Sequence, residues 1–410
     1  MKPLDERPLR ILAADDSAVM RGVMGQLFRM HAEDRLNDLP RMELCGVARD
    51  GVDCLEAVKR LLPDVLVLDL EMPRLNGLEV LRRLQVENPG LPVIMCSAHT
   101  ERGARSTLEA LACGAADYVT KPAEQRDFAS AMLSLSQQLL PRIAELAKGA
   151  KRKEENAVAR SGSGGAFKAS SGVAPARAAY SPIEVVVIGL STGGPSALEQ
   201  LLPRLPADFP VPVLIVQHMP KLFTGALAER LDKSCSLRVK EAYENAMIRP
   251  GTIWLAPGDA HMEIGPGNGL TDRHDGGLAG RSSRVRLHQR EPLNHCRPAV
   301  DYLFFSAARM YGASALALVM TGMGADGLDG ARAVHESGGV VLAQDEASSA
   351  VWGMPGKVTE AGIASATLPL VEIASALKER INLGRLMKMD TAHHAASAMV
   401  PRREMTDGLF

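Results

Sequence analysis

Short apolar runs alternating with amphipathic stretches recur along most of this chain. In the first third they are Arg10–Ala14, Met42–Ala48, Val65–Leu70, Val93–Ser97 and Asp117–Thr120, with segments such as DCLEAVKRLL and GLEVLRRLQ between them. Strand and helix alternating in this way leave few options. Right-handed crossovers set the strands side by side in a parallel sheet, with helices covering both faces. The pattern resumes at Ile183 with Val185–Ile188, Val213–Gln217, Thr252–Ala256, Ala315–Met320 and Val340–Ala343. From Gly251 to Glu291 the chain is rich in glycine and polar residues, which reads as loops and hairpins with some antiparallel pairing. The fold class is α/β, two doubly wound parallel-sheet domains, a five-stranded one followed by a larger one.

At 410 residues the chain exceeds one ordinary core. Between Arg142 and Ser181 the periodicity fails in a run rich in Gly, Ser, Ala and Lys, the composition of a flexible linker whose first part can continue a helix. The expected division is a first domain over 1–141, a linker over 142–182, a second domain over 183–386 and a disordered tail over 387–410. Lys plus Arg number 47 and Asp plus Glu 48, a net charge of −1 that gives no footprint for nucleic acid. No apolar run approaches the ~18 residues needed to span or insert in a membrane, and MKPLDERPLR has no signal-peptide core. Six scattered cysteines without a C-x-x-C pair read as thiols of a reducing compartment, so the expected location is cytoplasmic.

In a doubly wound sheet, ligands sit beyond the carboxyl ends of the strands. In the first domain those ends carry Asp15 and Asp16, Asp69, Ser97 and Lys121. Three carboxylates at one edge repel unless a hard cation lies between them, and Mg²⁺ suits an all-oxygen site. A lysine and a hydroxyl beside them can hold phosphoryl oxygens, which makes the central Asp69 a candidate acceptor forming an acyl phosphate. The motifs DDS at Asp15–Ser17, LDLEMPRLNGLE around Asp69, Ser97 and TKP at Thr120–Pro122 resemble a response-regulator receiver domain. The resemblance implies phosphorylation at Asp69 and Mg²⁺ held by Asp15, Asp16 and Asp69 with the backbone at Glu71. It also implies phosphoryl sensing by Ser97 and Lys121, with Tyr118 as the switch aromatic. The stretch MHAEDRLNDLPRM is longer and more polar than usual for that family.

The second domain centres on VVVIGLSTGGP, Val185–Pro195. A buried strand that turns through glycines into a helix exposes Ser191 beside a helix N-terminus, where free N–H groups favour negative charge. Taken alone, the stretch leaves three readings open: a G-x-S-x-G nucleophile elbow, a phosphate-binding turn, or glycines that only let a helix pack. His218 follows VLIVQ and Asp326 follows ALALVMTGMGA, so the three side chains stand at strand ends that share one edge. Hydroxyl, imidazole and carboxylate are the parts of an acyl-transfer triad. Asp259 and Asp345 also follow apolar runs, so spacing does not select the acid. The order Ser, His, Asp differs from that of α/β-hydrolases, which excludes that fold.

IGLSTGGP, QHMP, WLAPGD at Trp254–Asp259, LNHCRPAVD at Leu293–Asp301, VMTGMGADG at Val319–Gly327 and QDEASSAVWGMP at Gln344–Pro355 resemble the chemotaxis response-regulator protein-glutamate methylesterases. The resemblance implies a catalytic triad of Ser191, His218 and Asp326, with oxyanion support from the backbone at Thr192 and Met323. No cofactor is expected at the esterase site. Leu190 stands where that family often has alanine. The implied function is a phosphorylation-regulated serine hydrolase that demethylates glutamate methyl esters, and deamidates certain glutamines, on methyl-accepting chemotaxis receptors. A chemotaxis histidine kinase is the implied phospho-donor. The alternatives are an esterase of a non-chemotaxis pathway or a phosphorylation-controlled binding module.

Overall fold

The computed structural model describes residues 7–33, 39–98, 100–122, 128–162, 181–267 and 283–383. The N-terminal unit runs β1 (Leu9–Ala14), α1 (Ala18–Glu33), β2 (Met42–Ala48), α2 (Gly51–Leu61), β3 (Val65–Asp69), α3 (Gly77–Glu87), β4 (Val93–Ser97), α4 (Glu101–Ala112), β5 (Asp117–Thr120) and α5 (Phe128–Gly162). Its strands form one parallel sheet in the order β2-β1-β3-β4-β5. Helix starts follow local chemistry: Asp50 caps α2 by accepting from Val52 and Asp53 N–H, and Asn76 with Glu79 forms a capping box on α3. Sandwiched between helices, β3 is buried at every position, as a central parallel strand without a solvent face must be.

Next come β6 (Val185–Leu190), α6 (Gly194–Leu201), β7 (Val213–Gln217), α7 (Lys221–Ser234), β8 (Arg238–Glu241), β9 (Thr252–Leu255), β10 (His261–Pro266), β11 (Ser283–His288), α8 (Val300–Tyr311), β12 (Ala315–Val319), α9 (Leu328–Glu336), β13 (Val340–Gln344), α10 (Met354–Glu360) and β14 (Ala366–Leu368). Seven strands make a parallel sheet in the order β14-β13-β12-β6-β7-β9-β8, and β10 pairs with β11 as a separate antiparallel hairpin. The strand order reverses at β6, which has β7 on one side and β12 on the other. The crevice at such a switch point is where ligands of this architecture bind. Ser191 is the first residue past β6.

Two features differ from the sequence reading, and a third, the helical continuation expected past Arg142, is extended. Edge strands β8 and β14 were not expected, because their half-exposed positions lack a continuous apolar run. Thr252–Leu255 belongs to the parallel sheet, and the antiparallel pairing lies in β10 with β11 and in single bridges, Met247 to Arg284 and Leu293 to Cys296. The segment expected to be a linker from Arg142 begins inside α5, which continues through Pro141 to Gly162. Leu139, Leu140, Ile143, Ala144, Leu146 and Ala147 are buried there, and packing of that face outweighs the proline and the polar composition. Residues 163–180 of the expected linker, the tail from 387, and residues 34–38 of the long polar stretch lie outside the described residues.

Candidate active site

At the end of β6 the backbone of Ser191 is held from both neighbouring strands. Its N–H donates to Thr321 O at 3.0 Å, and Gln217 Nε2 donates to its carbonyl at 2.9 Å. The turn into α6 needs its glycines: Gly193 has φ 77°, and a Cβ on Gly194 would collide with the Gln217 side-chain oxygen. Among the described residues, the N–H groups of Thr192 and Met323 make no hydrogen bond within the fold, so both remain available as donors.

His218, the first residue past β7, presents Nε2 to Asp326 Oδ2 at 2.7 Å. Asp326 is 3% exposed and saturated with donors. Oδ2 also accepts from Val300 N–H at 2.6 Å, while Oδ1 accepts from Asn294 Nδ2 at 3.0 Å, Gly327 N–H at 3.0 Å and Asp301 N–H at 3.3 Å. The competing acids are committed elsewhere: Asp259 pairs with Arg297 at 2.5 Å, and Asp345 binds Ser348. Burial alone would raise the Asp326 pKa, but the His218 bond and backbone donors hold it below the ordinary carboxylate value. Burial pushes the adjacent Asp301 up, helped by the Asp326 charge. For His218, burial pulls down, yet the Asp326 hydrogen bond and the nearby Cys296 outweigh it and the net shift is upward. The other ring nitrogen, Nδ1, lies 3.5 Å from Cys296 Sγ. Both nitrogens are thus engaged, and among the described residues Ser191 Oγ is bonded to neither.

In the N-terminal sheet, Asp15, Asp16 and Asp69 gather at the strand ends with ligand oxygens within 4.8 Å of one another. Lys121 Nζ lies 2.9 Å from Asp15 Oδ2 and 2.8 Å from Asp69 Oδ2. Asp15 Oδ2 is buried and has no protein partner beyond this ion pair. An all-oxygen set with an unsatisfied buried carboxylate oxygen fits a hard cation. Burial raises the Asp69 pKa to about 6 against the opposing pull of Lys121. Ser97 and Lys121 line the same cavity of about 630 Å³ as Asp16, Asp69 and Glu71.

The catalytic edge meets the N-terminal unit at α4, β5 and α5, at the opposite end of β5 from Lys121. Asp117 in β5 accepts from Thr192 Oγ1 at 2.6 Å and from Arg142 Nε at 3.0 Å. Beside it, Tyr118 stacks on Phe223 of α7 with ring centroids 4.7 Å apart. Ser196 Oγ at the start of α6 donates to Leu111 O of α4 at 2.8 Å. Val351 and Met323 pack into a cluster of buried residues that includes Met132, Leu135 and Leu139 of α5. Thr192 and Met323 therefore both lie under the N-terminal domain.

Residues 186–377 match the family model described as CheB methylesterase, and residues 11–133 match the response regulator receiver domain. The protein-glutamate methylesterase/protein-glutamine glutaminase of Trichodesmium erythraeum is 41% identical over 372 residues, covering 91% of this chain and 99% of that protein. This chain belongs to the CheB methylesterase family. The protein of the same name from a Nocardioides species is 42% identical over 91% of this chain and 95% of its own length. The Thermotoga maritima CheB methylesterase catalytic domain is similar to 48% of this chain over 98% of its own length, at 41% identity and a TM-score of 0.44.

Within this CheB-family chain, sequence reasoning missed Cys296, Asn294, Asp117 and Gln217. The first two sat inside the quoted LNHCRPAVD motif, but nothing in spacing tells which motif residue faces an imidazole. Asp117 was read only as part of a strand, because a contact between domains leaves no local pattern. No described helix of this CheB-family chain is long and apolar enough to cross a membrane.

Proposed function

We propose that this chain hydrolyses glutamate methyl esters on a protein substrate, releasing methanol, and deamidates glutamine side chains at the same site. Ser191 Oγ attacks the ester carbonyl, and His218 takes its proton. Asp326 holds Nε2, so Nδ1 is the nitrogen that receives it, with Ser191 displacing the Cys296 thiol from that position. Asp326 keeps the imidazole in one tautomer and stabilises its cation. The N–H groups of Thr192 and Met323, at the mouth of α6, stabilise the oxyanion, a term often worth several kcal/mol. His218 then returns the proton to the departing methanol, and water repeats the sequence on the acyl-enzyme. The buried His218–Asp326 pair at the switch point beside Ser191 is the observation that carries this reading.

The receiver domain supplies control. Asp69 accepts a phosphoryl group from a histidine kinase; Asp15, Asp16 and Asp69 with the Glu71 backbone would hold Mg²⁺, which would supply charge neutralisation of the phosphoryl oxygens. Ser97 and Lys121 read the modified state, and Tyr118 carries it to Phe223. In the docked arrangement the receiver holds Thr192 and covers Met323, so the esterase rests, and phosphorylation frees it. The substrates in this reading are methyl-accepting chemotaxis receptors and the setting is the cytoplasm. The test is methanol release from a methylated receptor fragment. Ser191→Ala must abolish it while leaving the thermal unfolding midpoint in place, and retained turnover would remove Ser191 from the mechanism.

A further inference from the structure

The catalytic edge carries a thiol that the proposed mechanism does not use. Leu293–Cys296 is a tight loop closed by reciprocal backbone bonds, Leu293 N–H to Cys296 O at 3.2 Å and Cys296 N–H to Leu293 O at 2.9 Å. Asn294 and His295 adopt left-handed φ values of 54° and 62° to make the turn. The loop is also tied to the acid, since Asn294 Nδ2 bridges Asp326 Oδ1 at 3.0 Å and Asp301 Oδ2 at 2.9 Å. The backbone therefore delivers Cys296 Sγ to His218 Nδ1, 3.5 Å away.

That separation has a chemical meaning. A tetrahedral ion bound to nitrogen at ~2.0–2.1 Å and thiolate sulfur at ~2.3 Å spaces those two atoms about 3.5 Å apart. With Nε2–H donated to Asp326, the Nδ1 lone pair faces the sulfur, so no rearrangement of the ring is needed. Ligand atoms of His218, Cys296 and Asp326 lie within 4.8 Å of one another. Asp326 already accepts five hydrogen bonds, so it serves from outside: a carboxylate on the far nitrogen of a metal-bound histidine orients the ring and raises its basicity.

We infer that Cys296 Sγ and His218 Nδ1 form a binding site for a thiophilic divalent cation of the zinc class, and that its occupation switches the esterase off. The thiol proton, and the Nδ1 proton wherever the imidazole is charged, leave to solvent as the metal–sulfur and metal–nitrogen bonds form, and solvent fills the remaining positions. Nitrogen and sulfur donors select against Mg²⁺ and Ca²⁺, which take oxygen. The chain would then answer two classes of cation in opposite ways, a hard one at Asp69 and a soft one at His218. Binding rests on this geometry alone; the inhibition rests on the reading of His218 as the base.

The test uses the full chain with Mg²⁺ in excess to occupy the receiver site. Co²⁺ is added first, and the near-ultraviolet thiolate-to-cobalt absorption is followed in wild type and in Cys296→Ser and Cys296→Ala. Zn²⁺ is then titrated against methanol release. Wild type gains an absorption band that both variants lack. Losing an inner ligand must cost at least what losing an outer partner does, so the variants need about tenfold or more Zn²⁺ for equal inhibition. An equal band or equal Zn²⁺ sensitivity in the variants overturns the site, and a zinc-saturated wild type that keeps its rate overturns the switch. If Ser191→Ala retains methanol release, the catalytic reading falls, while the cobalt band still decides the site.

Discussion

The Thr192 hydroxyl donates a 2.6 Å hydrogen bond to Asp117 Oδ2, tying the residue after the proposed nucleophile to the last strand of the receiver sheet. A hydrogen bond to a charged acceptor contributes ~1.5–3 kcal/mol, so its loss shifts the docking equilibrium by roughly tenfold or more. Asp117→Ala is expected to raise the unphosphorylated methanol-release rate by up to that factor, less whatever the Tyr118–Phe223 stack retains. An unchanged or lower rate in a folded variant contradicts autoinhibition through this contact.

The pH profile follows from His218. Only the neutral imidazole can take the Ser191 proton. Because the folded-state pKa is raised above its ordinary value, chiefly by Asp326 against the opposing effect of burial, activity rises with pH and its acid limb lies above 6.5. In Asp326→Asn the raising charge is gone, so the limb moves to lower pH while the maximal rate falls by about 10⁴ through the wrong tautomer. Rate measured against pH in both proteins checks the sign. A common midpoint contradicts it.

In the receiver, Asp69→Asn keeps the shape of the acceptor and removes its nucleophilic oxygen. Such a chain is expected to lose all stimulation by an acyl phosphate in the presence of Mg²⁺ while keeping the resting rate. A chelator should remove the same stimulation from wild type. Stimulation that survives both treatments points to a different acceptor.

The turn at Ser191 is tight enough to test with one methyl group. Gly194→Ala drives a Cβ into the Gln217 amide, whose Nε2 holds the Ser191 carbonyl. Overpacking of this kind costs about 1–3 kcal/mol, so the unfolding midpoint should fall together with the esterase rate. A variant with wild-type stability would show that Gln217 can turn aside.

Most of the architecture was legible because parallel strands buried on both faces announce themselves as unbroken apolar runs. Val93–Ser97 and Val213–Gln217 were delimited to the residue, and so were the partly exposed edge strand Met42–Ala48 and the less apolar Asp117–Thr120. Edge strands Arg238–Glu241 and Ala366–Leu368 have no such run, and α5 continues past Pro141 because of partners far away in the chain. In the site, strand ends pointed to Ser191, His218 and Asp326, and the structure adds why Asp326 rather than Asp259 or Asp345 meets the imidazole. Cys296 on Nδ1 and Asp117 on Thr192 were illegible, since both depend on how loops and domains meet rather than on any period within them.

A mechanism-based serine probe reads out both the nucleophile and its control by the receiver. The full chain is labelled with and without Mg²⁺ and an acyl phosphate, and the adduct is located by mass spectrometry. A single adduct on Ser191 is expected, absent in Ser191→Ala and formed several times faster in the phosphorylated chain. An adduct elsewhere, or a Ser191 labelling rate indifferent to phosphorylation, would contradict it.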